Sequence, residues 1–210
     1  MTKPIIWDVD TQKDFIDENG KLSVPGAVDI KQNINTVLSL AQKYGVDIYG
    51  SVDAHPEDDD EFNMYPAHCV VDTEGQKKIP ESVISHKDNI YYVPNNGQGV
   101  DMTVFQGAQQ VYFEKQCVNI WDKTKGQPDN IQTLLRMTDV TDVIVIGVAT
   151  DICVIEAVKG FVERDYNVFV VDEAVKGLSV ESEMDAREKM GDLGVKFITL
   201  KELDLQLENY

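Results

Sequence analysis

The sequence predicts an α/β protein built around a mostly parallel, doubly wound β-sheet. Strand-like apolar runs alternate with segments of helical periodicity along most of the chain. One run, residues 143–148, is almost wholly apolar, as expected for a central strand with helices on both faces. A chain of 210 residues can bury one sizeable core, so we predict a single domain over residues 1–210.

The individual elements follow from the same signals in chain order. The first strand is the apolar run 5–9, which Asp10 ends, and helix 29–44 has one apolar face and a stop at Gly45. Further strands are predicted over 46–52, 109–114, 143–148, 167–171 and 195–200, and further helices over 130–137, 153–164 and 180–193. Residues 54–108 contain four of the seven prolines and break the alternation. We therefore predict a long loop region there that carries site residues.

The net charge restricts the class of binding partner, and the cysteine content indicates the cellular compartment. The chain has 37 acidic and 19 basic residues, a net charge of −18, which repels nucleic acid and anionic membranes and favours a neutral or cationic small molecule. The acidic run 57–61 is predicted to be a solvated loop. No apolar run reaches membrane-spanning length and no signal peptide is recognisable. Three cysteines without disulfide-scaffold spacing predict a reducing, cytoplasmic location.

Three polar residues follow predicted strands and form a candidate catalytic set. Asp10, Lys115 and Cys153 each lie at or just past the carboxyl end of a strand, where open α/β sheets bind ligands. A thiol, a carboxylate and an ammonium would supply a nucleophile, its base and a charge partner. The alternatives are a buried structural cysteine, a turn-capping aspartate and a surface lysine.

A second candidate set has the chemistry of metal ligands. Asp53 and His55 end the strand 46–52 as an Asp-x-His pair, and His68 could return from the loop region to join them. One carboxylate and two imidazoles suit Zn²⁺, Fe²⁺ or Mn²⁺ and leave positions for water or substrate. The alternative is a pair of loop histidines bonded to backbone, and a fourth ligand, Glu61 or water, stays open.

Together these segments resemble the nicotinamidase-like members of the isochorismatase-type cysteine hydrolases, over essentially the whole chain. The similarity lies in the opening motif Asp10-Thr11-Gln12-Lys13-Asp14-Phe15, in Asp53-Ala54-His55 with Tyr65-Pro66-Ala67-His68-Cys69-Val70, and in Gly147-Val148-Ala149-Thr150-Asp151-Ile152-Cys153-Val154. Lys115 falls where the family has a lysine after its third strand.

The resemblance implies a six-stranded parallel sheet in the order 3-2-1-4-5-6, an isochorismatase-like fold. It also implies a cis peptide bond between Val148 and Ala149, with the N–H groups of Ala149 and Cys153 forming an oxyanion hole. Phe15, Tyr65 and Trp121 would contact the substrate ring, and Asp53, His55 and His68 would hold one divalent metal ion, with Zn²⁺ expected ahead of Fe²⁺ or Mn²⁺.

The activity implied is hydrolysis of nicotinamide to nicotinate and ammonia through a cysteine thioester, in NAD salvage. A homo-oligomer is also implied. Two alternatives remain open at this point. One is a metal-free cysteine amidase of the same superfamily acting on a carbamoyl or ureido substrate. The other is a non-catalytic binding protein on this fold, in which Cys153 is an inert packing residue.

Overall fold

The computed structural model describes residues 3–84, 90–95, 100–105 and 107–210, and a seven-stranded parallel sheet runs through its centre. The strands are β1 (Pro4–Val9), β2 (Asp47–Asp53), β3 (Ile90–Val93), β4 (Gln110–Lys115), β5 (Asp142–Val148), β6 (Asn167–Lys176) and β7 (Lys196–Ile198). Their order across the sheet is β3-β4-β2-β1-β5-β6-β7, and every neighbouring pair is parallel.

Helices connect these strands. They are α1 (Lys13–Ile16), α2 (Lys31–Tyr44), α3 (Pro128–Met137), α4 (Ile155–Val162), α5 (Val180–Asp192) and α6 (Leu200–Leu207). Single 3-10 turns occur at Ala27–Ile30, Asp60–Asn63, Pro80–Ser82 and Met102–Phe105, and a π-helical turn, Thr150–Val154, directly precedes α4. Within the described ranges, no helix is long and apolar enough to cross a bilayer.

The predicted fold class and strand order are confirmed, with one strand added. Omitting β3 leaves the order β4-β2-β1-β5-β6-β7, which is the predicted 3-2-1-4-5-6. The added strand pairs with β4 at the sheet edge. Its residues, Ile90–Val93, favour a strand, but a run of four is too short to show a clear period of two. The last strand was predicted too long, and α6 was not predicted. Thr199 ends that strand because it forms a capping box with Glu202 at the start of α6.

Apolar layers cover both faces of the sheet. On β1, Ile5, Trp7 and Val9 pack with the buried residues of α3, α4 and α5, whereas Ile6 packs with those of α2 and α6. This alternation is the period of two that a strand imposes on its side chains. Burying one large apolar side chain contributes about 1.5–3 kcal/mol, so the two layers together hold the strand ends in fixed positions.

The carboxyl ends of β1 and β5 meet at the centre of the sheet. Val9 lies opposite Gly147 in the parallel pairing of these strands. Gly147 has φ +113°, and a Cβ atom there would lie 2.0 Å from the Val9 carbonyl oxygen. Glycine is therefore required for the close approach of the two strands. The segments that follow β1 and β5 contain Asp10 and Cys153, which therefore lie close together at the carboxyl edge of the sheet.

Candidate active site

Asp10 lies immediately beyond β1, in the left-handed region of backbone space at φ +48°. Aspartate is one of the few residues with a side chain that adopts this conformation readily. The backbone N–H of Asp10 donates to the Ser51 carbonyl (3.1 Å), and the Ser51 hydroxyl donates to Asp10 Oδ1 (2.7 Å). Two bonds to β2 thus orient a buried carboxylate at the carboxyl edge of the sheet.

Lys115 brings the predicted catalytic residues together. The register of β2 and β4 places Lys115 opposite Asp53, and its ammonium hydrogen-bonds to Asp53 Oδ1. The same Nζ lies 2.9 Å from Asp10 Oδ2 and 3.8 Å from Cys153 Sγ. The ammonium is buried, so its charge acts on these groups with little solvent screening. The predicted set of Asp10, Lys115 and Cys153 is therefore one cluster in the structure.

Cys153 lies in the π-helical turn rather than in the first turn of α4, where the sequence placed it. This turn follows the Val148–Ala149 peptide, which is cis, as the resemblance implied. The Ala149 carbonyl accepts hydrogen bonds from the N–H groups of Ile152 (3.0 Å) and Val154 (3.1 Å). These bonds fold the chain tightly around Cys153. Isolated π turns of this kind occur frequently at functional sites.

The buried groups change one another's proton affinity. Burial raises the pKa of Cys153 well above its usual value, and the nearby Lys115 ammonium offsets only part of this effect. Burial also raises the pKa of Asp10, again against the opposing charge of Lys115. Burial alone would lower the pKa of Lys115, but Asp10 and Asp53 outweigh it and raise that pKa well above its usual value. The resting thiol is therefore protonated, beside a carboxylate able to accept its proton.

Asp53, His55 and His68 converge as the sequence predicted for a metal site. His55 Nε2 lies 3.7 Å and His68 Nε2 3.9 Å from Asp53 Oδ2. His68 Nδ1 lies 2.8 Å from the Pro66 carbonyl oxygen, and His55 Nδ1 lies 3.0 Å from Asp59 Oδ2. Both acceptors place the ring proton on Nδ1. In the neutral imidazoles the Nε2 lone pairs then face Asp53, as in metal-binding histidines with outer hydrogen-bond partners.

Two further observations test whether these residues fit a divalent ion. The buried His55 Nε2 has no hydrogen-bond partner among the described residues, although buried polar atoms are normally paired. One ligand atom from each of the three residues lies within 4.8 Å of the other two. Glu61 Oε1 is 4.0 Å from His68 Nε2 and offers a further oxygen. The set of nitrogen and carboxylate donors suits Zn²⁺, Fe²⁺ or Mn²⁺.

Replacing His55 by Ala should remove bound metal. Loss of a direct ligand should weaken binding by more than the roughly 10–100-fold that loss of an outer hydrogen-bond partner costs. Metal content per chain, measured by plasma mass spectrometry after dialysis against Zn²⁺, checks this. Asp58→Asn is the matched control, because Asp58 is an exposed carboxylate of the same loop. Equal metal content in His55→Ala and wild type would remove His55 from the ligand set.

A small apolar cavity adjoins Cys153 and the three-ligand cluster. Its volume is about 150 Å³, below the roughly 300–1,000 Å³ typical of sites for drug-sized ligands. The lining residues are Asp10, Phe15, Leu22, Val24, Asp53, Glu61, Tyr65, His68, Val118, Val148, Ala149, Ile152, Cys153 and Leu178. Phe15 is a buried wall, whereas Tyr65 is 49% exposed and lies at the mouth. The cavity suits a small molecule about the size of one ring.

The structure does not bring Trp121 to this cavity, which corrects its predicted role in substrate contact. Its indole N–H donates to the Ala157 carbonyl (3.1 Å), and its ring packs edge-on against Phe161 under the Arg164 guanidinium. Trp121 is thus part of the core beneath α4. Val118, three residues earlier, lines the cavity instead.

Three residues that support the site were not predicted. Ser51 binds Asp10, Asp59 binds His55, and Gln12 bonds both backbone groups of Asp53. Ser51 could have been found from the sequence, because the period of two puts it on the same face of β2 as Asp53. Asp59 lies in the acidic run predicted to be solvated, yet its side chain is buried by its contact with His55.

Comparisons with known proteins agree with this fold. Residues 98–202, half of the chain, match the isochorismatase domain family, and the chain therefore belongs to that family. It is 26% identical to the nicotinamidase of Schizosaccharomyces pombe over 97% of this chain and 96% of that protein.

Solved structures show the same architecture. The pyrazinamidase/nicotinamidase of Streptococcus mutans UA159 matches with a TM-score of 0.77 at 24% identity, covering 93% of this chain and 100% of its own. The pyrazinamidase of Pyrococcus horikoshii, solved in complex with zinc, matches with a TM-score of 0.72 at 24% identity, covering 94% and 99%. At this level of identity the structures establish the shared fold.

Proposed function

We propose that this protein is a metal-assisted cysteine amidase that hydrolyses nicotinamide to nicotinate and ammonia. The observation that carries the proposal is the buried cluster in which Lys115 Nζ lies 2.9 Å from Asp10 and 3.8 Å from Cys153. The adjoining metal-type ligand set and the one-ring cavity favour a small heteroaromatic amide. Membership of the isochorismatase domain family and the similarity to nicotinamidases support the same choice.

In the first half of the reaction, Asp10 accepts the proton of the Cys153 thiol as sulfur attacks the amide carbonyl carbon. Lys115 stabilises the charges of Asp10 and of the developing thiolate. The backbone N–H groups of Ala149 and Cys153 are proposed to bind the oxyanion. Asp10 then gives its proton to the departing nitrogen, the C–N bond breaks, and ammonia leaves a thioester on Cys153.

In the second half, Asp10 accepts a proton from water as the water oxygen attacks the thioester carbon. The C–S bond breaks, Asp10 returns its proton to the Cys153 sulfur, and the carboxylic acid product leaves. Phe15 and Tyr65 are proposed to contact the two faces of the ring. A divalent ion held by Asp53, His55 and His68 would supply a Lewis acid for the ring nitrogen and for water.

The metal-type cluster distinguishes this proposal from a metal-free amidase acting on a carbamoyl or ureido substrate. Asp53, His55 and His68 present converging donors that a metal-free enzyme would not need. We further propose a place in NAD salvage and a cytoplasmic location. Three free cysteines, Cys69, Cys117 and Cys153, support a reducing compartment.

Ammonia release from nicotinamide by the purified protein should be readily measurable and should fall on chelation. Metal add-back should restore it, because the chelator would remove the ion held by Asp53, His55 and His68 and with it the Lewis acid. The assay couples ammonia to glutamate dehydrogenase, before chelation, after it, and after Zn²⁺, Fe²⁺ or Mn²⁺ is returned. An unchanged rate of ammonia release after chelation would be consistent with the cysteine chemistry but would contradict a role for the metal ion in it. Absence of release from folded, metal-loaded protein would contradict nicotinamide as the substrate.

A further inference from the structure

A second buried ion pair lies beneath the active site, and the proposed reaction does not use it. Asp8 and Lys78 are both buried, with Lys78 Nζ 2.8 Å from Asp8 Oδ2 and 4.2 Å from the centroid of the Tyr112 ring. The Thr11 hydroxyl donates to Asp8 (2.8 Å to Oδ1), and the Tyr112 hydroxyl lies 3.0 Å from Asp8 Oδ2. Asp8 thus has polar contacts with Lys78, Thr11 and Tyr112, and Lys78 Nζ contacts Asp8 and the face of the Tyr112 ring.

Lys78 belongs to a chain segment that lies along the residues following β1. Ile79 N–H donates to the Thr11 carbonyl (2.9 Å), and Lys13 N–H donates to the Lys77 carbonyl (2.9 Å). Gln12 and Lys78 face each other in this short antiparallel contact. Farther along, Gln110 Nε2 donates to the Ser82 carbonyl (3.0 Å). Residues 77–82 are therefore attached on one side of the ion pair to the residues that follow β1, and on the other to the side chain of Gln110 in β4.

This segment in turn holds the side chain of Gln12. Gln12 Nε2 donates to the Gln76 carbonyl (2.8 Å) and to the Asp53 carbonyl (2.8 Å), while Gln12 Oε1 accepts from Asp53 N–H (2.7 Å). Gln12 is fully buried, and Asp53 is both a candidate metal ligand and the partner of Lys115. A shift of residues 76–78 would move Gln12 and, through it, the backbone of Asp53.

We propose that Lys78 is a positioning residue, which pairs with Asp8 to hold residues 76–78 against Gln12 and so orients Asp53 toward the metal and Lys115. The inference rests on the proposed function in so far as it assigns Asp53 to a metal. A buried ion pair is a weak source of stability, but one pairing register satisfies both charges and every displaced register leaves them unpaired. An apolar side chain at position 78 would fill the space without selecting that register.

Zn²⁺ affinity measured by calorimetry on folded protein tests this role. Lys78→Met should weaken Zn²⁺ binding by about 10-fold or more, as expected for the loss of a group that orients a ligand. Lys77→Met is the matched control, because the Lys77 ammonium lies at the surface and pairs with Glu74, and it should bind Zn²⁺ as wild type does. Unchanged Zn²⁺ affinity in Lys78→Met would overturn the proposal, whatever its melting temperature.

A double-mutant cycle tests the route through Gln12. Gln12→Met should itself weaken Zn²⁺ binding, and adding Lys78→Met to it should change the affinity by less than about twofold. If the two substitutions reduced Zn²⁺ affinity independently, so that their fold-changes multiplied in the double variant, Lys78 would not act on Asp53 through Gln12.

Asp8→Asn provides a second variant in case Lys78→Met does not fold. It keeps the shape of the side chain, and because burial lowers the pKa of Lys78, the amine can become neutral there. Asp8→Asn should also weaken Zn²⁺ binding, and wild-type affinity in it would overturn the proposal. Wild-type protein that bound no Zn²⁺ would contradict the proposed metal centre and this inference together. Wild-type binding by Lys78→Met would contradict the positioning role alone.

Discussion

Replacing Cys153 by Ala should abolish ammonia release while leaving nicotinamide binding intact. Removal of the proposed nucleophile would leave only substrate binding and oxyanion stabilisation, so we expect kcat to fall by roughly 10⁴-fold or more. The cavity loses only the sulfur atom, and its other walls and the metal ligands stay in place. Steady-state ammonia release measures the first effect, and calorimetric titration with nicotinamide measures the second.

Cys117→Ala is the matched control for this substitution. Cys117 is two residues from Lys115 and its thiol donates to the Asn119 carbonyl, but it does not line the cavity. Its activity should equal that of wild type. Near wild-type turnover by Cys153→Ala would mean that Cys153 is a packing residue, as the non-catalytic alternative requires.

Replacing Asp10 by Asn should lower kcat by about 10²–10⁴-fold, the usual contribution of a general base. Asparagine has the same shape and can still accept from the Ser51 hydroxyl, but it cannot take the Cys153 proton. Burial raises the pKa of Cys153, so the thiol does not ionise by itself at neutral pH and depends on this base. Asp14→Asn is not a suitable control, because Asp14 accepts from Cys69 N–H next to His68. The half-buried Asp17, whose carboxylate pairs with Lys31 away from the cavity, is suitable.

The dependence of kcat/KM on pH should report the ionisation of the proposed base, Asp10. Asp10 must be ionised to act, so activity should be present at neutral pH and fall as the pH drops through the pKa of Asp10. Burial raises that pKa, so the acid limb should lie above the usual value of 3.8. Asp10→Asn should lack this limb. An identical limb in the variant would assign it to another group and contradict the role of Asp10.

Local patterns in the sequence were sufficient to predict much of the fold. The apolar run at β5 and the helical periodicity of α2 depend on neighbouring residues alone, and they predicted the sheet and its layers. The missing pieces were short or lay at chain ends. β3 has four residues and one neighbouring strand, and α6 was missed although Thr199 and Glu202 form a capping box visible in the sequence.

Some features of the candidate site could likewise be predicted from local sequence, and others could not. Asp10, Lys115 and Cys153 could be named because each follows an apolar strand, and parallel strands bring their carboxyl ends to one edge. The Asp-x-His pair and His68 could be named from residue chemistry. The direction in which a side chain points is not a local property of the sequence. Trp121 was predicted to contact the substrate in the cavity, but its indole N–H donates to the Ala157 carbonyl in the core.

The sequence by itself thus determined the fold class, the order of the six principal strands through its family resemblance, and the residues that supply the proposed chemistry. The tertiary structure decided how those residues act on one another. A single ammonium, Lys115 Nζ, contacts both Asp10 and Asp53. The register of β2 and β4 places Asp53 beside Lys115, 62 residues away, and β1 brings Asp10 to the same edge from the other side of β2. The Asp8–Lys78 pair and the Gln12 contacts arise only when distant segments pack together. Contacts of this kind depend on register and side-chain direction across the whole sheet, which no window of neighbouring residues encodes.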